Sequence, residues 1–131
     1  TETGEEMVMA SRSDGMGISA LKNAGLKLLI LSKERNPVVT KRAEKLQIEV
    51  IQSCDNKLEA LTEWLLNNQL PLSQCAYVGN DINDLQCMQA VRLAIAPIDA
   101  HPLAAQAAHW RLSRAGGKGA IRELSDAIIN R

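Results

Sequence analysis

Phenylalanine is absent from this sequence, tyrosine occurs once and tryptophan twice, in a chain of 131 residues. A nucleic-acid surface that interleaves basic side chains with stacking aromatics is therefore excluded. Charge of one sign is also lacking. Fifteen Lys and Arg are matched by fifteen Asp and Glu, so no global field recruits nucleic acid or an anionic membrane. Cysteine is scarce, and Cys54, Cys75 and Cys87 are odd in number and irregular in spacing. They form neither a disulfide framework nor a CxxC zinc pattern. Reduced, mostly buried thiols in a cytoplasmic protein are expected. No apolar run approaches the length of a membrane span, and no signal-peptide layout opens the chain. The opening Thr1-Glu2-Thr3-Gly4-Glu5 has no Met before it. It reads as the interior of a longer gene product or as an imposed boundary.

What is present is ordinary globular composition, 46% hydrophobic and 23% charged, in a length that suits one domain over residues 1–131. Strands and helices alternate along it. Glu6 to Ser11 alternates weakly and suits the second arm of a hairpin. Asp14 can cap a helix from about Gly15 to Asn23, ended by Gly25. The dense apolar run Leu26 to Leu31 suits a strand buried on both faces. Pro37 fits the first turn of a helix reaching Leu46. Glu49 to Gln52 reads as a strand. Asn56 to Asn68 reads as a helix with Leu58, Leu61, Leu65 and Leu66 near one face. Cys75 to Gly79 is a strand, Asp81 to Gln89 a short helix, and Leu93 to Ala96 a further strand. Pro102 to Ala108 reads as a short helix, Trp110 to Leu112 as an edge strand, and Ala120 to Ile129 as the last helix. This order predicts an α/β fold, a doubly wound, Rossmann-like parallel sheet covered on both faces. In such sheets ligands bind at the carboxyl ends of the strands.

Three of those ends carry polar groups. Ser32 follows the first apolar strand and could grip a phosphate oxygen beside helix N–H groups, or serve as an ordinary cap. Lys57 follows the next strand and could neutralise phosphate charge, or lie solvated on a surface helix. Gly79-Asn80-Asp81-Ile82-Asn83-Asp84 follows the third. Four oxygen-bearing side chains at a helix start suit Mg²⁺, and they equally suit a polar turn with Asp81 or Asp84 as cap.

The order hydroxyl, lysine, acidic cluster resembles motifs two, three and four of the haloacid dehalogenase superfamily. Ser13-Asp14-Gly15-Met16-Gly17-Ile18 resembles a substrate segment of its small capless sugar-acid phosphatases. Ser32 to Val39, Lys57-Leu58 and Tyr77 to Leu85 are similar to their second, third and fourth motifs. Asp99-Ala100-His101-Pro102 and Ala115 to Glu123 resemble their tail. That subfamily includes 3-deoxy-manno-octulosonate 8-phosphate phosphatases and the C-terminal domains of acylneuraminate cytidylyltransferases, with a tilt here toward the latter branch.

The resemblance implies a capless haloacid dehalogenase-type fold and Mg²⁺-dependent hydrolysis of a phosphorylated nonulosonic or octulosonic acid. Lys57 and Asp84 would be catalytic, with Asp84 orienting Lys57. Ser32 would bind the phosphate, Asn80 or Asp81 the metal, and Asp14, Gly15 and Arg42 the sugar acid. Glu34 stands where Arg is common, which puts one substrate contact in doubt. Asn80 replaces a customary Asp, which predicts weaker Mg²⁺ binding if that position is the ligand. Gly116, Gly117 and Gly119 match a tail that lies near a neighbour's site in capless tetrameric relatives, or they form a flexible linker. A homo-oligomer, a tetramer by that likeness, is expected. The family's nucleophile sits in an Asp-x-Asp-Gly signature on the first strand, and no such pattern occurs here. The first strand is thus expected to lie outside this sequence, and the chain alone is expected to fold poorly. The alternatives are a non-catalytic oligomerisation or binding module attached to a cytidylyltransferase, and a flavodoxin-like domain.

Overall fold

The computed structural model describes residues 12–33 and 35–130, with side chains from Gly15 onward. The hairpin arm expected at Glu6 to Ser11, the Asp14 side chain and Glu34 lie outside the described residues. Helix α1 spans Arg12–Asn23. It is already under way at Arg12, so Asp14 is a helical residue and not the cap expected from its residue type. A cap signal is local, and the chain before it decides whether the helix has begun. Gly25, at φ +95°, ends the turn after α1 in a region that only glycine adopts without strain.

Strand β1 is Leu29–Leu31. Helix α2, Pro37–Leu46, starts where Asn36 Oδ1 accepts the Val38 N–H at 2.9 Å and Pro37 fills the first turn. Ser32 is therefore not its cap. Strand β2 is Glu49–Ile51. Helix α3, Lys57–Asn67, is capped by Asn56, whose Oδ1 accepts the Glu59 N–H at 3.0 Å. Leu61 and Leu65 on it are buried, whereas Leu66 is 75% exposed. At about 100° per residue, position 66 falls off the stripe that 58, 61 and 65 share. Strand β3 is Ala76–Val78. A single 3₁₀ turn, Ile82–Asp84, leads into α4, Leu85–Ala90. Strand β4 is Leu93–Ala96, helix α5 Pro102–Ala107, strand β5 Trp110–Arg111 and helix α6 Ala120–Ile129.

All strand pairs among the described residues are parallel, as the alternating order predicts. Among the described residues they form two sheets, ordered β1-β2 and β3-β4-β5, instead of one. β4 shows why the larger sheet is covered twice. Ala94 and Ala96 belong to a core with Leu61, Leu65, Tyr77, Cys87, Met88, Val91 and Ala104. Ile95 between them belongs to a second core with Leu112, Ala120 and Leu124. Successive side chains on a strand point to opposite faces, so each face of β4 meets its own helical layer. Full burial of Ile95 or Leu112 contributes roughly 1.5–3 kcal/mol each. Across the chain α1 packs against α6. A Cβ on Gly17 would stand 2.8 Å from the Arg122 Cα, which sets how closely these helices approach.

β1 departs from the expectation of a fully buried strand. Leu29, Ile30 and Leu31 are only half-buried and Leu26 is 44% exposed. The reason is a cavity of about 320 Å³ lined by Lys27 to Leu31 on one side and Cys75 to Val78 on the other. It separates the edges of β1 and β3. No described helix is long and apolar enough to cross a membrane. Cys54 and Cys87 are buried free thiols and Cys75 is a half-buried one.

Candidate active site

The carboxyl ends of β1, β2 and β3 carry Ser32, the Gln52 to Asn56 turn and Gly79 to Asp84. Parallel strands direct all three toward one end of their sheets. Leu29 and Leu31 of β1 pack against the core under β3 and β4, and a polar contact, an ion pair, links the turn after β2 to the turn after β3. Lys57 Nζ lies 3.0 Å from Asp84 Oδ1, and the two side chains are only 5% and 4% exposed. Lys57 is thus not the solvated helix lysine that its residue type suggests. A lysine at the first position of α3 reaches back over the strand ends, where the acidic turn neutralises it.

Asp84 is held by four donors. Its Oδ1 accepts from Lys57 and, at 2.6 Å, from the Tyr77 hydroxyl. Its Oδ2 accepts the backbone N–H of Asn80 at 2.9 Å and of Asp81 at 3.2 Å. Charge-assisted bonds of this kind are the strong ones. They satisfy a carboxylate that is 3% exposed as a residue, which would otherwise be costly to bury. Gly79 makes the geometry possible. A Cβ there would stand 2.7 Å from Asp84 Cβ and 2.8 Å from Met88 Sδ. Burial, and the Asp84 carboxylate beside it, push the Tyr77 hydroxyl far above the ordinary phenol range. It stays protonated and donates.

Tyr77 was not among the sequence candidates. The available signal was a lone tyrosine on a buried strand two residues before the glycine, because a buried hydroxyl needs a partner. Gln52 was passed over as well. Its Oε1 accepts the Asn36 N–H at 2.6 Å and its amide donates to Thr40 Oγ1. These bonds fasten the start of α2, and the loop after β1 with it, to the end of β2.

Lys57, Tyr77, Asn80 and Asp84 all line the cavity between the sheets. The Asn80 amide side chain forms no hydrogen bond with a described residue, while its backbone oxygen accepts the His101 N–H at 2.9 Å. Asp81 is the cap of the 3₁₀ turn. Its Oδ1 accepts the Ile82 N–H at 2.7 Å, and it is not among the described residues lining the cavity. Asn80 and Asp81 are oxygen donors of the kind that Mg²⁺ takes. They fit such an ion in kind, with Asn80 Oδ1 the uncommitted donor. No described cluster of three acidic, His or Cys residues could hold a metal, so further oxygens would have to complete the shell.

Ser32 is fully buried at the end of β1. Its N–H donates to Ile51 O at 2.9 Å and its carbonyl accepts the Cys54 N–H at 3.0 Å, which continues the β1-β2 pairing to the strand ends. Gly15 and Arg42 come together as a separate pair. A Cβ on Gly15 would run into the Arg42 guanidinium. Arg42 Nε is buried without a hydrogen-bond partner among the described residues. The glycine segment is tethered and not loose. Gly116 N–H donates to Asp99 Oδ1 at 2.9 Å, and Glu123 accepts the backbone N–H groups of Ser113 and Arg114.

A buried lysine fixed by a carboxylate, with N–H bonds to spare at the strand ends, suits contact with an anion. Comparison with known proteins agrees with that geometry. Residues 19–122 match the haloacid dehalogenase-like hydrolase family. The chain belongs to that family. Among its members, the chain is 36% identical over 127 residues to the 3-deoxy-D-manno-octulosonate 8-phosphate phosphatase of Yersinia pestis, covering 96% of this chain and 68% of that protein. It is 30% identical over 131 residues to the N-acylneuraminate cytidylyltransferase A of Danio rerio, where it spans only 30% of the relative's length. The crystal structure of the octulosonate 8-phosphate phosphatase from Moraxella catarrhalis holds a magnesium ion, a phosphate ion and a KDO molecule. It superposes with a TM-score of 0.87 at 32% identity, over 90% of this chain and 68% of that one. The Rossmann-like α/β architecture of haloacid dehalogenase-like hydrolases is therefore the architecture of this chain.

Proposed function

We propose that this chain is the phosphate-binding part of a magnesium-dependent phosphohydrolase acting on a phosphorylated eight- or nine-carbon sugar acid. The carrying observation is the cavity between β1 and β3, with the buried Lys57–Asp84 pair and Asn80 on its lining. An edge strand presents unpaired N–H and C=O groups, and two parallel edges flanking one slot suit a further strand between them. In this reading that strand lies outside the 131 residues and brings the attacking aspartate and its acid–base partner to Lys57. The sequence itself contains no Asp-x-Asp-Gly.

Within this reading Lys57 neutralises phosphate and carboxylate charge. Asp84 holds the Lys57 ammonium in place, and Ser32 contributes at the phosphate. Asn80 Oδ1 is the metal donor in this reading, in preference to Asp81, because Asn80 lines the cavity and Asp81 does not. A bound Mg²⁺ would supply charge neutralisation at the phosphoryl oxygens. Arg42, with its unpartnered Nε, would meet the sugar acid's carboxylate beside Asp14 and Gly15. Support comes from the similarity to phosphatases acting on 3-deoxy-D-manno-octulosonate 8-phosphate, one of which binds magnesium, phosphate and the sugar acid. A cytoplasmic homotetramer belongs to the same proposal, and sedimentation equilibrium of the purified protein checks the four-copy assembly.

The non-catalytic module of a cytidylyltransferase is the less favoured reading. A domain that only assembles subunits has no need of a buried ion pair against a cavity. The deciding experiment measures phosphate release from 3-deoxy-manno-octulosonate 8-phosphate and from a nonulosonate 9-phosphate, with Mg²⁺ and with chelator. Metal-dependent release supports the proposal. The protein assayed is the longer one that carries the further strand, and no release from it, with a cooperative unfolding transition shown, overturns the proposal.

A further inference from the structure

Tyr77 has no role so far beyond its bond to Asp84, yet its placement is specific. The ring is packed in the larger core at 9% exposure, and the hydroxyl donates at 2.6 Å to the carboxylate oxygen that also accepts from Lys57. The other carboxylate oxygen is fixed by two backbone N–H groups. Three of the four donors on Asp84 are therefore rigid, being backbone or a packed ring with two torsions. The fourth is the end of a flexible four-carbon stem. An acceptor shared between a rigid and a mobile donor sets the position of the mobile one. The Lys57 ammonium has three N–H bonds, and Asp84 is its one hydrogen-bond partner among the described residues. Two donors remain for an anion.

We infer that Tyr77 is a positioning residue: its hydroxyl locks the Asp84 carboxylate so that Lys57 presents its remaining N–H bonds to an anion in the cavity. Bulk alone would be served equally by a phenylalanine ring. The phosphate readouts below rest on the proposed function, whereas the amide readout does not.

The test compares Tyr77→Phe, Asp84→Asn and the double variant with the unaltered protein. Two quantities are read: affinity for inorganic phosphate by calorimetry, and hydrogen-exchange protection of the Asn80 and Asp81 amides. Tyr77→Phe should weaken phosphate binding by about three- to tenfold, the value of one hydrogen bond. It should also lower protection of both amides, because they share its carboxylate. In the Asp84→Asn background the same change should leave phosphate affinity unaltered, since a residue acting through another loses its effect when that other is changed. Unchanged amide protection in Tyr77→Phe overturns the inference, as does an equal loss of affinity in both backgrounds. If the unaltered protein binds no phosphate, the phosphatase reading fails and the amide protection alone decides on Tyr77. A second measurement avoids relying on a variant's folding. Tyr77 is the single tyrosine, so 3-fluorotyrosine incorporation places one ¹⁹F reporter on it. Phosphate addition should shift that resonance, and absence of a shift with phosphate bound overturns the inference.

Discussion

Removing Asp84 should cost this protein more than removing Lys57, although the two form one ion pair. Breaking a buried pair from one side generally costs about 3–5 kcal/mol, because it strands the other charge. Here the two sides are unequal. Asp84→Ala leaves the Lys57 ammonium without its partner at 5% exposure, and it also orphans the Tyr77 hydroxyl and the N–H groups of Asn80 and Asp81. Lys57→Met leaves Asp84 with three of its four donors. The expected costs are about 4–5 kcal/mol for Asp84→Ala and about 2–3 kcal/mol for Lys57→Met. The double change Lys57→Met with Asp84→Leu should cost less than Asp84→Ala alone, since no charge is stranded. Urea unfolding at neutral pH reads the difference. With a slope of about 2 kcal/mol per molar, Asp84→Ala should lower the midpoint by roughly 2 M. Costs below about 1 kcal/mol for both single variants, or a larger cost for Lys57→Met, would refute the reasoning.

Three further outcomes follow from the geometry. Gly79→Ala should destabilise by about 1–3 kcal/mol, because its Cβ meets Asp84 Cβ and Met88 Sδ at 2.7 and 2.8 Å; an unchanged urea midpoint would contradict it. Gly17→Ala should cost a similar amount, since its Cβ meets the α6 backbone at 2.8 Å, whereas Gly15→Ala should cost less than about 1 kcal/mol because the Arg42 guanidinium can swing aside. Thermal unfolding of the two variants checks that order, and equal melting temperatures would speak against it. Burial pushes the Cys87 thiol up to about 11 from the ordinary 9.0, so the folded chain keeps a proton that the unfolded chain loses first. Stability should be full below about pH 9 and fall as pH rises toward about 11, by up to about 1.4 kcal/mol per pH unit. Urea midpoints should follow that fall and drop less steeply in Cys87→Ala; midpoints flat up to about pH 10.5 would exclude it.

Much of the fold was legible in the sequence because periodicity and punctuation are local properties. Leu93 to Ala96 and Ala120 to Ile129 have the bounds their patterns predicted, and Asn56 and Pro37 start their helices as caps and first-turn residues do. The misreadings share a cause. Asp14 resembles a cap, Leu66 resembles a core leucine and Leu26 resembles a buried strand residue. Each depends on what lies next to the segment, which residue type does not report. The candidate site divides in the same way. Lys57, Asn80 and Asp84 stood out by residue type after strand ends, and the structure brings them to one cavity. Tyr77 did not stand out, because a tyrosine on a strand is ordinary until its hydroxyl is seen to have a partner.

The sequence by itself determined the alternation of strands and helices, the parallel pairing that follows from it, and the polar residues at three strand ends. Those features depend on side-chain type and spacing along the chain. Only the tertiary structure decided that Lys57 is buried against Asp84, that Tyr77 shares the same carboxylate oxygen, and that the described strands form two sheets flanking a slot. Each of these joins residues distant in sequence, and pairing across such distances is set by how the layers pack.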